Sequence, residues 1–163
     1  MSDLPEFTVD DLEREEALDV PTFTNDDAVD LGLAAVEVID ERGLNLAVRV
    51  MLRGDIVFQA KLGNSGPDND PWLAGKHAVV ERFSEASLLV RRRHEESGSP
   101  FEERADVDHD TFKAHGGSIP ILVEGKIVGS ITTSGEPDVV DHATSAEAIR
   151  RYLAAHSSAS AAD

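Results

Sequence analysis

Apolar and polar positions change period several times along this chain, and each change marks an element. Ala28, Leu31, Ala35, Val38 and Ile39 recur at helical spacing, which predicts a helix. Thr24 or Asn25 caps its start, and Gly43 closes it. The period then drops to two. Leu46, Val48, Val50 and Leu52 alternate with Asn45, Ala47, Arg49 and Met51; after a turn at Arg53-Gly54-Asp55, Ile56, Phe58, Ala60 and Leu62 alternate with Val57, Gln59 and Lys61. This is a β-hairpin. A second hairpin is predicted from Ile119, Ile121 and Val123, a turn at Glu124-Gly125-Lys126, and the β-branched run from Ile127 to Ser134.

Between the hairpins lies the stretch that organises the chain, Gly63-Asn64-Ser65-Gly66-Pro67-Asp68-Asn69-Asp70-Pro71-Trp72-Leu73. Its Gly, Asn, Ser and Pro residues end the strand. Asp70 is expected as a helix cap, with Pro71 in the first turn, where a missing N–H costs nothing. Trp72, Val79, Val80, Phe83 and Val90 then give one long helix as far as about Glu96, with Lys76 on the same stripe. Residues 101–115 are charged and poorly periodic and predict a short helix and loop. A last helix opens at Asp138 or Asp141, with His142, Ala146, Ile149 and Leu153 as its stripe. Helices around two hairpins predict an α+β domain. The expected organisation is an acidic N-terminal arm at 1–23 with a short helix near Val9–Leu18, a single domain at 24–156, and a disordered tail of small residues at 157–163.

Composition narrows the function. The formal net charge is −17, which disfavours nucleic acid and anionic membranes, since both need a basic patch. No run approaches the roughly 18 apolar residues of a membrane span, and no leader points to export, so a cytoplasmic location is expected. The chain has no cysteine, which removes thiolate metal sites and a Cys nucleophile. No metal motif holds. Asp106-Val107-Asp108-His109-Asp110 starts like a calcium loop but has Thr111 where Gly is needed. Acids crowd the arm (Asp10, Asp11, Glu13, Glu15, Glu16), whereas Arg91-Arg92-Arg93 ends the long helix. The two either attract each other or remain separate solvated faces.

Several of these stretches together resemble one family. Asp68-Asn69-Asp70-Pro71-Trp72, followed by Lys76 and Phe83, resembles the DN-x-x-W…K…F signature of a branch of the haem-degrading-domain superfamily, the GlcG/HbpS-like proteins. Gly116-Gly117-Ser118-Ile119-Pro120-Ile121 resembles the G-G-x-x-P-[IL] run that opens the family's second hairpin. Val128 to Gly135 resembles its V-G-x-[IV]-x-V-S-G strand, and Asp141-His142 its D-H pair. The chain departs from the pattern at Glu136, where an apolar residue is usual, and at Gly75 and Ala86. The resemblance covers roughly residues 26–154. It implies a profilin-like fold, a five-stranded antiparallel sheet with helices packed on it, assembled as a homo-oligomer. It also implies a small-molecule ligand, with a tetrapyrrole the expected class and haem the expected cofactor. Oxidative haem degradation is an activity of relatives.

The expected ligand-binding residues are Asp68, Asn69, Trp72, Lys76, His115, Gly116, Gly117, Ser134, Gly135, Asp141 and His142. Lys76 would meet a ligand anion, or else cover Trp72 with its stem and pair with an acid of a neighbouring subunit. His115 or His142 would be the haem axial ligand; either could equally be a hydrogen-bonded structural histidine. Ser134 with Asp141-His142 invites a hydrolase reading, but no G-x-S-x-G elbow carries the serine. Whether the protein turns over a substrate is left undecided by the residues. Two alternatives stand beside ligand binding: an assembly module without a small ligand, built from the arm and the basic helix, and an enzyme acting on a small anionic metabolite.

Overall fold

The computed structural model describes residues 3–162, the side chains of 158–162 excepted. In chain order the elements are α1 (Val9–Glu13), β1 (Leu18–Val20), α2 (Asn25–Arg42), β2 (Ala47–Leu52), β3 (Asp55–Lys61), α3 (Asp70–Phe83), α4 (Ser87–Glu96), β4 (Ser118–Val123), β5 (Lys126–Ser134) and α5 (Asp138–Ala162). Single 3₁₀ turns stand at Pro67–Asn69 and Phe101–Glu103. The class is α+β, as expected.

Both hairpins form, and they join through β2 and β5 in a sheet of order β1-β4-β5-β2-β3. The sheet has five strands, but it is mostly rather than wholly antiparallel. β1 comes from the N-terminal stretch and runs parallel to β4, with Leu18 opposite Ile121. Three residues are too few to show a period of two, so this strand left no pattern in the sequence. The disordered tail expected over 157–163 falls largely on side chains outside the described residues; the backbone of α5 is helical as far as Ala162, and Asp163 is not described.

Side chains on one face of the sheet pack against α2 and α5. Leu31, Ala35 and Ile39 of α2, Val48 and Val50 of β2, Ile121 and Ile131, and Ile149 and Tyr152 of α5 share one buried core that also takes in Leu18. α2 is held at both ends. Thr24 and Asp27 form a reciprocal capping box, and Gly43 takes the left-handed conformation at φ +63° that lets the chain turn off the helix. The other face of β5 turns the hydroxyls of Ser130 and Thr132 toward α3, where His77 Nδ1 lies 2.6 Å from Ser130 Oγ.

The long helix expected from Pro71 to Glu96 is two helices. Ser84 is left-handed, with φ +62°, and closes α3, and Ala86 is extended before α4 starts. The break lets α4 turn its basic side toward the N-terminal stretch. Arg93 meets Glu13 at 3.1 Å and Glu85 at 2.6 Å, while Arg92 donates to the Phe7 carbonyl. Leu12 packs beside Leu88, Leu89 and Val139. The acidic stretch and the basic helix therefore meet within one chain.

Leu18→Ala tests whether the N-terminal stretch belongs to the cooperative unit. Leu18 is fully buried, so the substitution should cost about 2–5 kcal/mol in denaturant unfolding. A loss below about 0.5 kcal/mol, the usual range for a surface change, would show that β1 lies outside that unit.

Candidate functional site

The site is built where α3, the loop before β4, the end of β5 and the start of α5 converge. The Pro67–Asn69 turn already follows a helical path, so α3 is capped one residue earlier than expected, by Asn69 rather than Asp70. Asn69 makes no cap hydrogen bond. Its Oδ1 accepts from Gly66 N–H at 2.9 Å and its Nδ2 donates to the Ser134 carbonyl at 3.2 Å, which ties the loop to the end of β5. Asp70 instead pairs with Lys61 at 2.8 Å.

One turn after Trp72 on α3, Lys76 is buried. Its Nζ donates to Asp141 Oδ2 at 2.9 Å and to the Thr133 carbonyl at 2.9 Å. Asp141 is buried as well and accepts the backbone N–H groups of Gly135 and Glu136. Burial dominates both groups: it pushes Asp141 up to about 6 against the pull of Lys76, and it pushes Lys76 down. The lysine thus meets an acid of its own chain. The cation that stands over Trp72 is Lys113, with Nζ 4.7 Å from the ring centroid.

The two glycines after His115 make this arrangement possible. A Cβ on Gly117 would lie 2.3 Å from the Thr133 carbonyl oxygen and 3.0 Å from Lys76 Nζ, and its φ of +140° strains any other residue. A Cβ on Gly116 would lie 2.3 Å from the Asp138 carbonyl oxygen. The close approach they allow is to α5 and to Lys76. Gly116 N–H donates to Asp138 Oδ2, which Arg91 of α4 also holds. Burial works to raise Asp138, but Gly116 and Arg91 overcome it and keep the carboxyl below its ordinary range.

Against this floor lies a cleft of about 350 Å³. Asp68, Asn69, Trp72, Lys76, His115, Ser134, Gly135 and Asp141, all expected from the sequence, line it together. Gly116 and Gly117 stand behind them. Glu136 and Asp138 also line the cleft and were missed; Glu136 carried a signal, as a departure from an otherwise apolar position. His115 is half-buried, with its ring edge-on to Trp72 at 5.2 Å between centroids. Burial, then the nearby Arg91, lowers its pKa, so the imidazole is neutral at pH 7. Among the described residues its ring makes no hydrogen bond.

His142 lies apart from the cleft. It is fully buried, its Nε2 is 2.8 Å from Glu15 Oε1, and Phe7 packs edge-on against its ring. It pairs with Glu15 and not with Ser134, so the Ser134, Asp141 and His142 arrangement of the hydrolase reading does not form.

The sequence matches the model of the haem degrading protein HbpS-like family over residues 23–150. The chain belongs to that family and, through it, to the haem-degrading-domain superfamily. A UPF0303 protein of Streptomyces coelicolor is 45% identical over 148 residues, covering 90% of this chain and 94% of its own. A UPF0303 protein of Paraburkholderia phymatum is 32% identical, covering 86% of each. Among solved structures, the Ybr137w protein superposes with a TM-score of 0.82 at 25% identity, over 93% of this chain and 91% of that one. A PduOC–haem complex superposes at 0.66 with 17% identity, over 79% and 94%, a likeness of fold.

Lys76→Met leaves the Asp141 carboxylate buried without its cation. It should cost about 3–5 kcal/mol at pH 8. A lone buried Asp141 has a folded pKa above its unfolded one, so protonation favours the fold; the deficit should shrink as the pH falls from 8 to 5. Adding Asp141→Leu should recover much of the loss. A single-variant loss under about 1 kcal/mol would mean that the pair is dispensable. For His115, the depressed folded pKa stabilises the fold above the unfolded value of about 6.5 and is lost on acidification. Its ring resonances should titrate with a midpoint below that value; a midpoint above it would mean that the ring is paired with an acid.

Proposed function

We propose that this chain is a cytoplasmic, homo-oligomeric small-molecule-binding protein that takes a tetrapyrrole, haem in the first place, at the cleft beside Trp72, with His115 as the axial ligand. The observation that carries this reading is His115 itself. Its ring is neutral, without a hydrogen bond among the described residues, and set at the cleft beside an aromatic face. That is the form of imidazole that ligates iron. The family and the haem-bound neighbour of similar fold support the same ligand class. Lys76 is committed to Asp141, so the basic group suited to a propionate is Lys113, which has no carboxylate partner among the described residues. A cleft of about 350 Å³ is small for a tetrapyrrole. One chain would enclose such a ligand in part, and a second copy would supply the rest. Haem, when bound, supplies the redox chemistry that oxidative degradation would need.

Charge favours a second reading. Asp68 and Glu136 line the cleft with no basic partner among the described residues. A small ligand with a cationic group suits that lining better than the anionic metabolite first considered. The assembly reading has less to rest on, because Arg91 and Arg93 find acidic partners within the chain.

Titration with haemin, followed at the Soret band, tests the proposal. A saturable shift at one haem per chain or per pair of chains is expected, lost in His115→Ala and retained in His142→Ala. A shift equal to that of an unrelated acidic protein, or unchanged in His115→Ala, would remove the tetrapyrrole reading at this cleft.

A further inference from the structure

A second cluster of ligating groups lies at the far end of the molecule, where the last turns of α5 pass the start of α2. Asp27 and Asp30 sit one turn apart on α2, and His156 comes to them from α5. One oxygen from each carboxylate and one imidazole nitrogen all lie within 4.8 Å of one another. We propose that Asp27, Asp30 and His156 bind a divalent transition-metal ion, of which Zn²⁺ is the representative.

Three observations carry this. The first is the orientation of the histidine. His156 Nδ1 lies 2.9 Å from the Tyr152 carbonyl, which can only accept, so Nδ1 bears a proton and Nε2 is the nitrogen turned toward the carboxylates. The ring is stacked on Tyr152 at 3.8 Å between centroids, which fixes it further. A metal-ligating histidine is ordinarily held in this way, by a hydrogen bond from its other nitrogen.

The second is spacing. Nε2 is 3.8 Å from Asp27 Oδ1 and 3.6 Å from Asp30 Oδ2. These gaps are too long for hydrogen bonds. They are close to the edge of about 3.4 Å between ligands placed about 2.1 Å from a tetrahedral ion. The third is that Asp27 commits Oδ2 to Thr24, accepting its N–H at 2.8 Å and its hydroxyl at 3.0 Å, and holds Oδ1 on the side of His156, where the Tyr152 hydroxyl also approaches the carboxylate.

The donor set selects the ion. One imidazole nitrogen and two carboxylates suit zinc and its neighbours in the first transition row, whereas calcium asks for six to eight oxygens. The two carboxylates balance a divalent charge, and the net charge of −17 raises the cation concentration around the chain. A cleft of about 320 Å³ alongside, lined by Asp27, Tyr152 and His156, leaves room for water to complete the coordination. A bound ion would clip the end of α5 to the start of α2. More than a hundred residues separate His156 from Asp27 and Asp30 along the chain, which is why no motif announced the cluster.

The full-length protein, freed of metal, should be titrated with Zn²⁺ by calorimetry and, in parallel, with Co²⁺ by visible absorption. We expect one ion per chain, a rise in Tm on saturation with Zn²⁺, and cobalt bands that change when His156 is removed. Affinity should fall at least tenfold in His156→Ala and in Asp30→Asn, with the far-UV spectrum unchanged; His156→Gln serves if the alanine variant fails to fold. Equal affinity in a folded His156 variant, or no saturable binding by the unaltered chain, would reduce the cluster to an ordinary surface ion pair and overturn the proposal. Haemin binding does not enter into either outcome.

Discussion

The arrangement depends on one buried ion pair, Lys76 with Asp141. α3 and α5 lie on opposite faces of the sheet, and this pair joins them around the end of β5. Each partner is also satisfied by backbone, Lys76 by the Thr133 carbonyl and Asp141 by the amides of Gly135 and Glu136. Such a pair adds little net stability over an apolar pair of the same volume, but neither half tolerates the loss of the other. Its effect here is positional. It fixes the floor of the cleft, and it requires glycine at position 117, where any side chain would run into the lysine and the strand. The lysine that drew attention as an anion receptor thus already holds its anion.

The same helix α5 is held on its other side by the N-terminal stretch. Glu15 reaches the buried His142, Phe7 closes over the ring, and Leu12 fills a small apolar cluster with Leu88, Leu89 and Val139. Asp141 and His142, neighbours in sequence, therefore serve different faces of one helix turn. Asp141 faces the cleft and Lys76, whereas His142 faces the acidic stretch.

Much of the architecture was legible because it rested on local patterns. Alternation gave the first hairpin, a shorter alternation with a β-branched run gave the second, and Thr24 and Gly43 marked the ends of α2. The helix break at Ser84-Glu85-Ala86 was not legible, since a serine in the left-handed conformation carries no signal comparable to glycine or proline. The parallel strand at Leu18 was hidden by its brevity. For the site, residue types and loops gave the members of the cleft, and family resemblance sharpened them. The direction in which each side chain points did not follow from spacing. His142 sat on the right stripe and faced elsewhere, and Lys113, which covers Trp72, lay in a segment without a period.

The parallel edge strand also bears on how the chain comes together in time. Leu18–Val20 is synthesised well before its partner Ile121–Val123, which follows about 100 residues later. Until β4 exists, an apolar segment beside a run of acids has no sheet to join. The acids around it, Glu13, Glu15, Glu16 and Asp19, keep that waiting segment solvated and repel like segments of other nascent chains. The charge that gives the finished molecule a clamp thus also guards the strand that must wait longest for its place.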